Sequence, residues 1–191
     1  MKKFFIVPGF KQKATDKMFA WLRKFLTEKG FDVILVPITW ERRVMSNYIE
    51  EFEEFFDKNK GNENYILGFS YGSVITFATA EKLKPKKIFL CSLSPDFKED
   101  LKNEKQWILN YIGKKRTADA LTRSGIALAR SLTIPSVIFY GEKEGRQYPK
   151  LKKRCGETVR LAKNARLVVV KDSPHNLAYP EYINAIKQEF L

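Results

Sequence analysis

The sequence predicts an α/β fold, built on a doubly wound and mostly parallel sheet of six strands. Six short apolar runs, rich in β-branched and aromatic residues, recur along the 191 residues at 4–7, 33–36, 65–67, 88–91, 137–140 and 167–170. Each run is continuous rather than alternating, which is typical of a strand covered on both faces. Segments with helical spacing separate the runs, as βαβ crossovers in one sheet require. We therefore expect a single domain over residues 1–191.

Segments between the runs show the period of an amphipathic helix at about 18–26, 44–56 and 71–83, and again after Pro180. The interval 96–134 is longer than one crossover needs. We expect a small helical cap there, over the carboxyl ends of the strands. Crossover helices packed into the core are the alternative for this interval.

Composition disfavours several classes of protein. The chain has 35 basic and 22 acidic side chains and a formal net charge of +13, but its lysines are scattered. Because blocks of five or more like charges are absent, we expect a solvated basic surface and no nucleic-acid partner. The phosphate-binding patterns G-x-G-x-x-G and G-x-x-x-x-G-K do not occur. Two cysteines and one histidine cannot form an ordinary zinc site or a disulfide framework, so no metal is expected.

The ends of the chain and its cysteine usage bear on location. The first apolar run is too short for a signal peptide, and no run approaches the ~18 residues that span a bilayer. Two cysteines are too few for the disulfide framework of a small secreted domain. We therefore expect a cytoplasmic location without membrane insertion.

The most informative motif is Gly68-Phe69-Ser70-Tyr71-Gly72, between the third apolar run and the third helical segment. A nucleophile on a strand-to-helix turn has a strained backbone and needs small neighbours on both sides. Glycines two residues before and two residues after Ser70 meet that need. Ser70 is therefore the candidate nucleophile, and an ordinary serine in a glycine-lined turn is the alternative.

A serine nucleophile needs a base within hydrogen-bond reach, and His175 is the one histidine of the chain. His175 follows the sixth run, so it lies at the same edge of a parallel sheet as the Ser70 turn. The imidazole in turn needs a carboxylate that fixes its tautomer. Glu142 and Glu144 follow the fifth run and are the candidates.

In these features the chain resembles a small α/β-hydrolase fold serine hydrolase, over nearly its full length from residues 7–10 to 174–176. The chain order serine, acid, histidine is that of this fold. The resemblance implies that Ser70 is the nucleophile and that Glu144, three residues beyond the glycine ending its strand, is the acid rather than Glu142. Asp96, after the fourth run, is the reserve candidate. The resemblance also implies a minimal six-stranded sheet.

The same resemblance implies an oxyanion hole made of two backbone N–H groups. One belongs to Tyr71, which follows the nucleophile. The other belongs to Phe10, because Pro8-Gly9-Phe10 resembles the His-Gly-x element of the family. Proline in the histidine position leaves the Phe10 N–H available, but does not indicate what braces the loop. A plain turn glycine is the alternative role for Gly9.

Together these residues predict cleavage of a small carboxylic ester or thioester through an acyl-serine intermediate, without a cofactor. A small-acyl carboxylesterase is the leading expectation. An acyltransferase or an amidase would use the same triad, and a catalytically silent fold that acts as a binding protein is the alternative of another class. The sequence leaves open the substrate, the oligomeric state and the pocket lining, for which Trp40, Phe69, Trp107 and Tyr111 are candidates.

Overall fold

A computed structural model of the chain describes residues 1–102 and 104–190. Each of the six predicted runs coincides, within a few residues, with a strand. The strands are β1 (Lys2–Val7), β2 (Asp32–Leu35), β3 (Glu63–Phe69), β4 (Lys87–Cys91), β5 (Ser136–Gly141) and β6 (Ala165–Val170). They form one sheet in the order β2-β1-β3-β4-β5-β6, and every neighbouring pair is parallel. The predicted doubly wound, six-stranded α/β fold is confirmed.

Helices and one short 3₁₀ segment connect and follow these strands. They are α1 (Lys17–Glu28), α2 (Met45–Asn59), α3 (Tyr71–Leu83), α4 (Lys98–Leu101), α5 (Gln106–Ile112), α6 (Lys114–Leu121), α7 (Gly125–Ser131), α8 (Glu142–Gln147), α9 (Pro149–Leu161), α10 (Pro180–Lys187) and the 3₁₀ turn Gln188–Phe190. Over residues 1–102 and 104–190, no helix combines the length and the apolar character needed to cross a membrane.

The sheet is covered on both faces, which explains why its strands are continuously apolar. Phe5 and Val7 of β1 point to a core layer that includes α2, α3 and α9, whereas Phe4 and Ile6 point to a layer that includes α1 and α10. All four side chains are fully buried. Cys91, in β4, is also buried, as its apolar surroundings predict.

The chain adds β2 on one side of β1, and then adds β3 and the later strands on the other side. Helix α1, which follows β1, packs on one face of the sheet, and α3, which follows β3, packs on the other. The loops that leave the carboxyl ends of these two neighbouring strands therefore diverge and open a crevice between them. In open α/β sheets, such a switch point is where ligands bind.

The interval 96–134 contains helices of two kinds. Helix α7 packs against α3 and α9, with Ala129 buried in the core, so it is a crossover helix. Helix α5 buries no residue, and its Trp107 and Tyr111 are 66% and 90% exposed. The apolar residues of α5 thus lie at the surface rather than in the core.

An ion-paired glutamate fastens the end of α3 to the loop that leads into β5. Thr133 donates a hydrogen bond to the Glu81 carboxylate from its backbone N–H and another, at 2.9 Å, from its hydroxyl, and Lys84 forms an ion pair with the same side chain. Burial alone would raise the pKa of Glu81. The hydrogen bonds from Lys84 and Thr133 outweigh it and lower that pKa to about 2.

The lowered pKa makes the contribution of Glu81 to stability depend on pH. A carboxyl whose pKa is lower in the folded state stabilises the fold above its unfolded value, here 4.5, and this contribution is lost as the pH falls toward about 2. We expect Glu81→Gln to lower the free energy of unfolding by about 1–2 kcal/mol at pH 7. The difference should shrink steadily below pH 4.5.

Urea unfolding of both proteins between pH 2 and pH 7 measures this difference. Glu54→Gln is the matched control, since Glu54 is exposed and has no ion pair within the described part of the chain. A deficit in Glu81→Gln that stays constant down to pH 2 would contradict the assignment.

Candidate active site

Ser70 stands where β3 turns sharply into α3. Its backbone has φ 55° and ψ −116°, a combination that a non-glycine residue adopts at a cost of about 1–3 kcal/mol. Its N–H donates to the Cys91 carbonyl at 2.9 Å, and the buried Ser73 hydroxyl bonds to the Gly68 and Cys91 carbonyls at 2.7 Å each. These bonds tie the turn to β4 and hold the strained conformation.

Two glycines give this turn the room it needs. A Cβ on Gly68 would stand 2.2 Å from the Gly72 carbonyl oxygen, and a Cβ on Gly72 would stand 2.2 Å from the Val7 carbonyl oxygen. The backbones of β3, α3 and β1 therefore touch here, and any side chain at either position would force them apart. The requirement for small neighbours that the motif suggested has a direct steric cause.

The Ser70 hydroxyl has a neighbour that the sequence did not single out. Its Oγ lies 3.3 Å from the Oγ of Ser94, which follows β4 and is 9% exposed. No hydrogen bond joins Ser70 to His175 in the described residues. The hydroxyl thus rests against Ser94 rather than against the imidazole.

Glu144 lies fully buried in the first turn of α8, next to the carboxyl end of β5. Its Oε2 accepts hydrogen bonds from the Gly141 N–H at 3.0 Å and from the Ser92 hydroxyl at 2.9 Å, and its Oε1 pairs with His175 Nδ1. The Ser92 hydroxyl also lies 3.2 Å from the hydroxyl of Tyr182, which is buried in α10. The sequence placed Tyr182 in the helical segment after Pro180, but it indicated no role at the site for either Ser92 or Tyr182.

The pairing of His175 with Glu144 fixes the tautomer of the imidazole. A carboxylate only accepts hydrogen bonds, so in the neutral ring Nδ1 carries the hydrogen and Nε2 has the lone pair. The loop that carries His175 is anchored to the start of α8, because the Ser173 carbonyl accepts the Lys143 and Glu144 N–H groups at 3.1 and 3.3 Å. The ring lies 4.6 Å from the Phe69 ring, beside the Ser70 turn.

The other two acid candidates lie elsewhere. Glu142 is at the surface, where its carboxylate accepts the Asp172 N–H at 3.2 Å and pairs with Arg146 at 2.5 Å. These two contacts lower the pKa of Glu142. Asp96 pairs with Arg123 at 3.5 Å, and its burial raises its pKa to about 7. Neither carboxylate forms a hydrogen bond with His175.

The Phe10 and Tyr71 N–H groups, the expected oxyanion donors, are both free. Neither one has an acceptor among the described residues, and the two rings pack against each other with centroids 5.3 Å apart. Gly9 brings the Phe10 loop close to the nucleophile, since a Cβ there would lie 3.2 Å from the Ser70 Cβ. The arrangement leaves two donors beside the serine.

The structure also shows what braces this loop in the absence of a histidine. The Gln12 side chain accepts the Gly9 N–H at 3.0 Å, and the Gln12 N–H donates back to the Gly9 carbonyl at 3.0 Å. The Trp40 indole donates to the Gln12 carbonyl at 2.8 Å. Gln12, within the loop itself, and Trp40, from the segment after β2, thus hold the turn.

A cleft of about 490 Å³ opens beside the imidazole. His175, Ser94, Gln147 and the ion pair of Glu104 with Lys150 supply its polar lining. Its apolar walls, which make up most of the lining, come from the loop after β4, from α5 and from the start of α9. These apolar residues are Pro95, Ile108, Tyr148, Pro149 and Leu151. None of the four aromatic residues considered from the sequence lines it: Phe69 is buried, Trp107 and Tyr111 are exposed, and Trp40 packs on Phe10 and Tyr48.

Known proteins resemble this chain in structure but not detectably in sequence. No family model matches it, and no curated protein matches it. Est1E from Butyrivibrio proteoclasticus superimposes with a TM-score of 0.82 at 15% identity, covering 99% of this chain and 85% of that one. A putative hydrolase from Agrobacterium vitis gives 0.81 at 16%, covering 100% and 88%. Mouse alpha/beta hydrolase domain-containing protein 10 gives 0.77 at 11%, covering 98% and 87%.

At 11–16% sequence identity, these structural similarities show the fold alone. The superposition extends over almost the whole chain in each case, and this chain has a six-stranded parallel sheet flanked by helices. The chain therefore adopts a small α/β-hydrolase fold.

Proposed function

We propose that this protein is a serine hydrolase that cleaves a small carboxylic ester or thioester with Ser70, His175 and Glu144. The observation that carries the proposal is the pairing of the one histidine with a fully buried carboxylate, beside a strained serine turn. A buried carboxylate held by two further donors orients an imidazole and stabilises its protonated form. The chemistry that follows is acyl transfer to water.

In the first half-reaction, Ser70 Oγ attacks the carbonyl carbon of the ester and gives its proton to His175 Nε2. To do so, the hydroxyl leaves Ser94 by rotation about its Cα–Cβ bond. The carbonyl oxygen becomes an oxyanion that accepts the free N–H groups of Phe10 and Tyr71. The imidazolium then protonates the leaving alkoxide or thiolate, the bond from carbon to the leaving group breaks, and an acyl-serine is formed.

In the second half-reaction, water gives a proton to Nε2 as its oxygen attacks the acyl carbon. The imidazolium returns the proton to Ser70 Oγ, the ester bond to the serine breaks and the acid is released. Glu144 stays ionised throughout and stabilises the positive ring. The cycle uses groups of this chain and water.

Two features favour a small ester. The cleft beside His175 has apolar walls and a volume in the range that holds a small organic group. Structural neighbours include an esterase from Pyrococcus furiosus and a lipase-esterase related protein from Clostridium acetobutylicum. Est1E has also been solved with ferulic acid bound. These likenesses support esterase chemistry as the first activity to test.

The nucleophile is tested by covalent labelling with a fluorophosphonate. We expect the wild-type protein to be labelled, because an activated serine attacks the phosphorus centre, and Ser70→Ala to be unlabelled. Ser131→Ala, which changes an exposed serine on α7, is the matched control and should be labelled like the wild type. Labelling that persists in Ser70→Ala would defeat the assignment.

The acid is tested by comparing two glutamates two residues apart. Glu144→Gln should lower kcat on a 4-nitrophenyl ester by on the order of 10³-fold, because an amide no longer stabilises the imidazolium. Glu142→Gln should leave kcat within about twofold, since Glu142 lies at the surface. The reverse pattern would transfer the role to Glu142, and circular dichroism spectra of both variants check that each is folded.

A further inference from the structure

Two cations lie against the loop that supplies one of the proposed oxyanion donors. The Arg116 guanidinium lies 4.5 Å from the centroid of the Phe10 ring, and the Lys11 ammonium lies 5.5 Å from it. The other neighbours of the Phe10 ring are Tyr71 and Trp40. Positive charge is therefore concentrated on the Phe10 side of the site.

This charge lacks a close counterion. No carboxylate in residues 1–102 and 104–190 lies within ion-pairing distance, 4.0 Å, of Arg116 or Lys11. The acidic groups that face Arg116 from neighbouring elements are Asp96 and Asp119, and both pair with Arg123, at 3.5 and 2.7 Å. Asp119 is further bonded to the Ser46 hydroxyl at 2.5 Å.

A half-buried guanidinium stacked on an aromatic ring is well suited to bind an anion. The ring replaces part of its water shell, and its planar N–H groups match the two oxygens of a carboxylate. Asp96, whose burial raises its pKa, and Asp119 are both paired with Arg123 rather than with Arg116. The Arg116 N–H groups thus remain available to a ligand.

The way the ester is held in the proposed site indicates which part of the substrate faces Arg116. His175 must reach the leaving group to protonate it, and His175 lines the apolar cleft, so the leaving group occupies that cleft. The carbonyl oxygen faces the Phe10 and Tyr71 N–H groups. The acyl chain is then assigned to the side away from the cleft, where the loop of Gly9 and Phe10 lies against Ser70 and contacts the two cations.

We propose that the enzyme selects esters whose acyl chain ends in a carboxylate, and that Arg116, assisted by Lys11, binds this carboxylate. The inference rests on the proposed function and names its substrate class: half-esters of short dicarboxylic acids with an apolar alcohol or aryl leaving group. The net charge of +13 draws such anions to the surface in general, whereas Arg116 acts locally.

The test compares 4-nitrophenyl hemiglutarate with 4-nitrophenyl valerate, two esters with the same leaving group and acyl length that differ in the terminal carboxylate. We expect the wild type to have the higher kcat/KM on the hemiester, and the ratio of the two values to fall at least about tenfold in Arg116→Gln. The ratio cancels any general loss of activity. Lys115→Gln, which removes an exposed charge from the same helix, should leave the ratio unchanged.

Equilibrium binding separates failure of the site from failure of the catalytic proposal. Calorimetric titration of the inactive Ser70→Ala protein should show glutarate binding more tightly than valerate, and Ser70→Ala/Arg116→Gln should lose that difference. If the wild type hydrolyses neither ester but glutarate binding depends on Arg116, the proposed function fails and the anion site stands. An equal or higher kcat/KM on the valerate ester, or glutarate binding that Arg116→Gln leaves intact, overturns the inference.

Discussion

The proposed active site depends on one buried carboxylate. Glu144 is removed from water, and a bare charge in that position would be costly, but the Gly141 N–H, the Ser92 hydroxyl and His175 Nδ1 occupy its oxygens. The same bonds decide which imidazole nitrogen has the lone pair. Because His175 is the one histidine of the chain, no other side chain could take its place as a base of this kind.

The fold brings this carboxylate to the nucleophile through the order of its strands. The chain adds β2 on one side of β1 and β3 on the other, so the Phe10 loop and the Ser70 turn lie beside the same crevice. The loops after β4, β5 and β6 contribute Ser94, Glu144 and His175 along the same edge. A hydrogen bond from Thr133 to Glu81 fastens the far end of the helix that follows Ser70 to the loop before β5.

Much of this arrangement could be predicted from the sequence, since it depends on local patterns. Continuous apolar runs indicated the strands, and the glycines around Ser70 indicated a close approach that the structure explains by contacts of 2.2 Å. Glu144 and Glu142 differ in environment, which depends on where α8 begins. The sequence did not indicate α8 or α9, since polar groups such as Arg154 lie among the buried positions of α9.

Contacts between residues that are far apart in the sequence gave no such signal. Ser92 and Tyr182 are 90 positions apart and meet only because α10 packs on the sheet, where Tyr182 contacts Phe139 of β5. The packing of Arg116 on Phe10 likewise joins α6 to the loop after β1, and in the sequence Arg116 belongs to an ordinary short basic segment. Tertiary contacts of this kind follow from the assembled sheet and cannot be derived from spacing.

The proposed triad requires a hydrogen on Nδ1 of His175. Nitrogen NMR of protein labelled with ¹⁵N at histidine observes that hydrogen without overlap, because the chain has a single histidine. A free neutral imidazole favours the Nε2–H form, whereas a ring that donates to Glu144 is held as Nδ1–H. We expect the Nδ1–H form in the wild type, with its proton strongly shifted downfield, and loss of that signal in Glu144→Gln. A neutral ring in the Nε2–H form, unchanged by that substitution, would contradict the account.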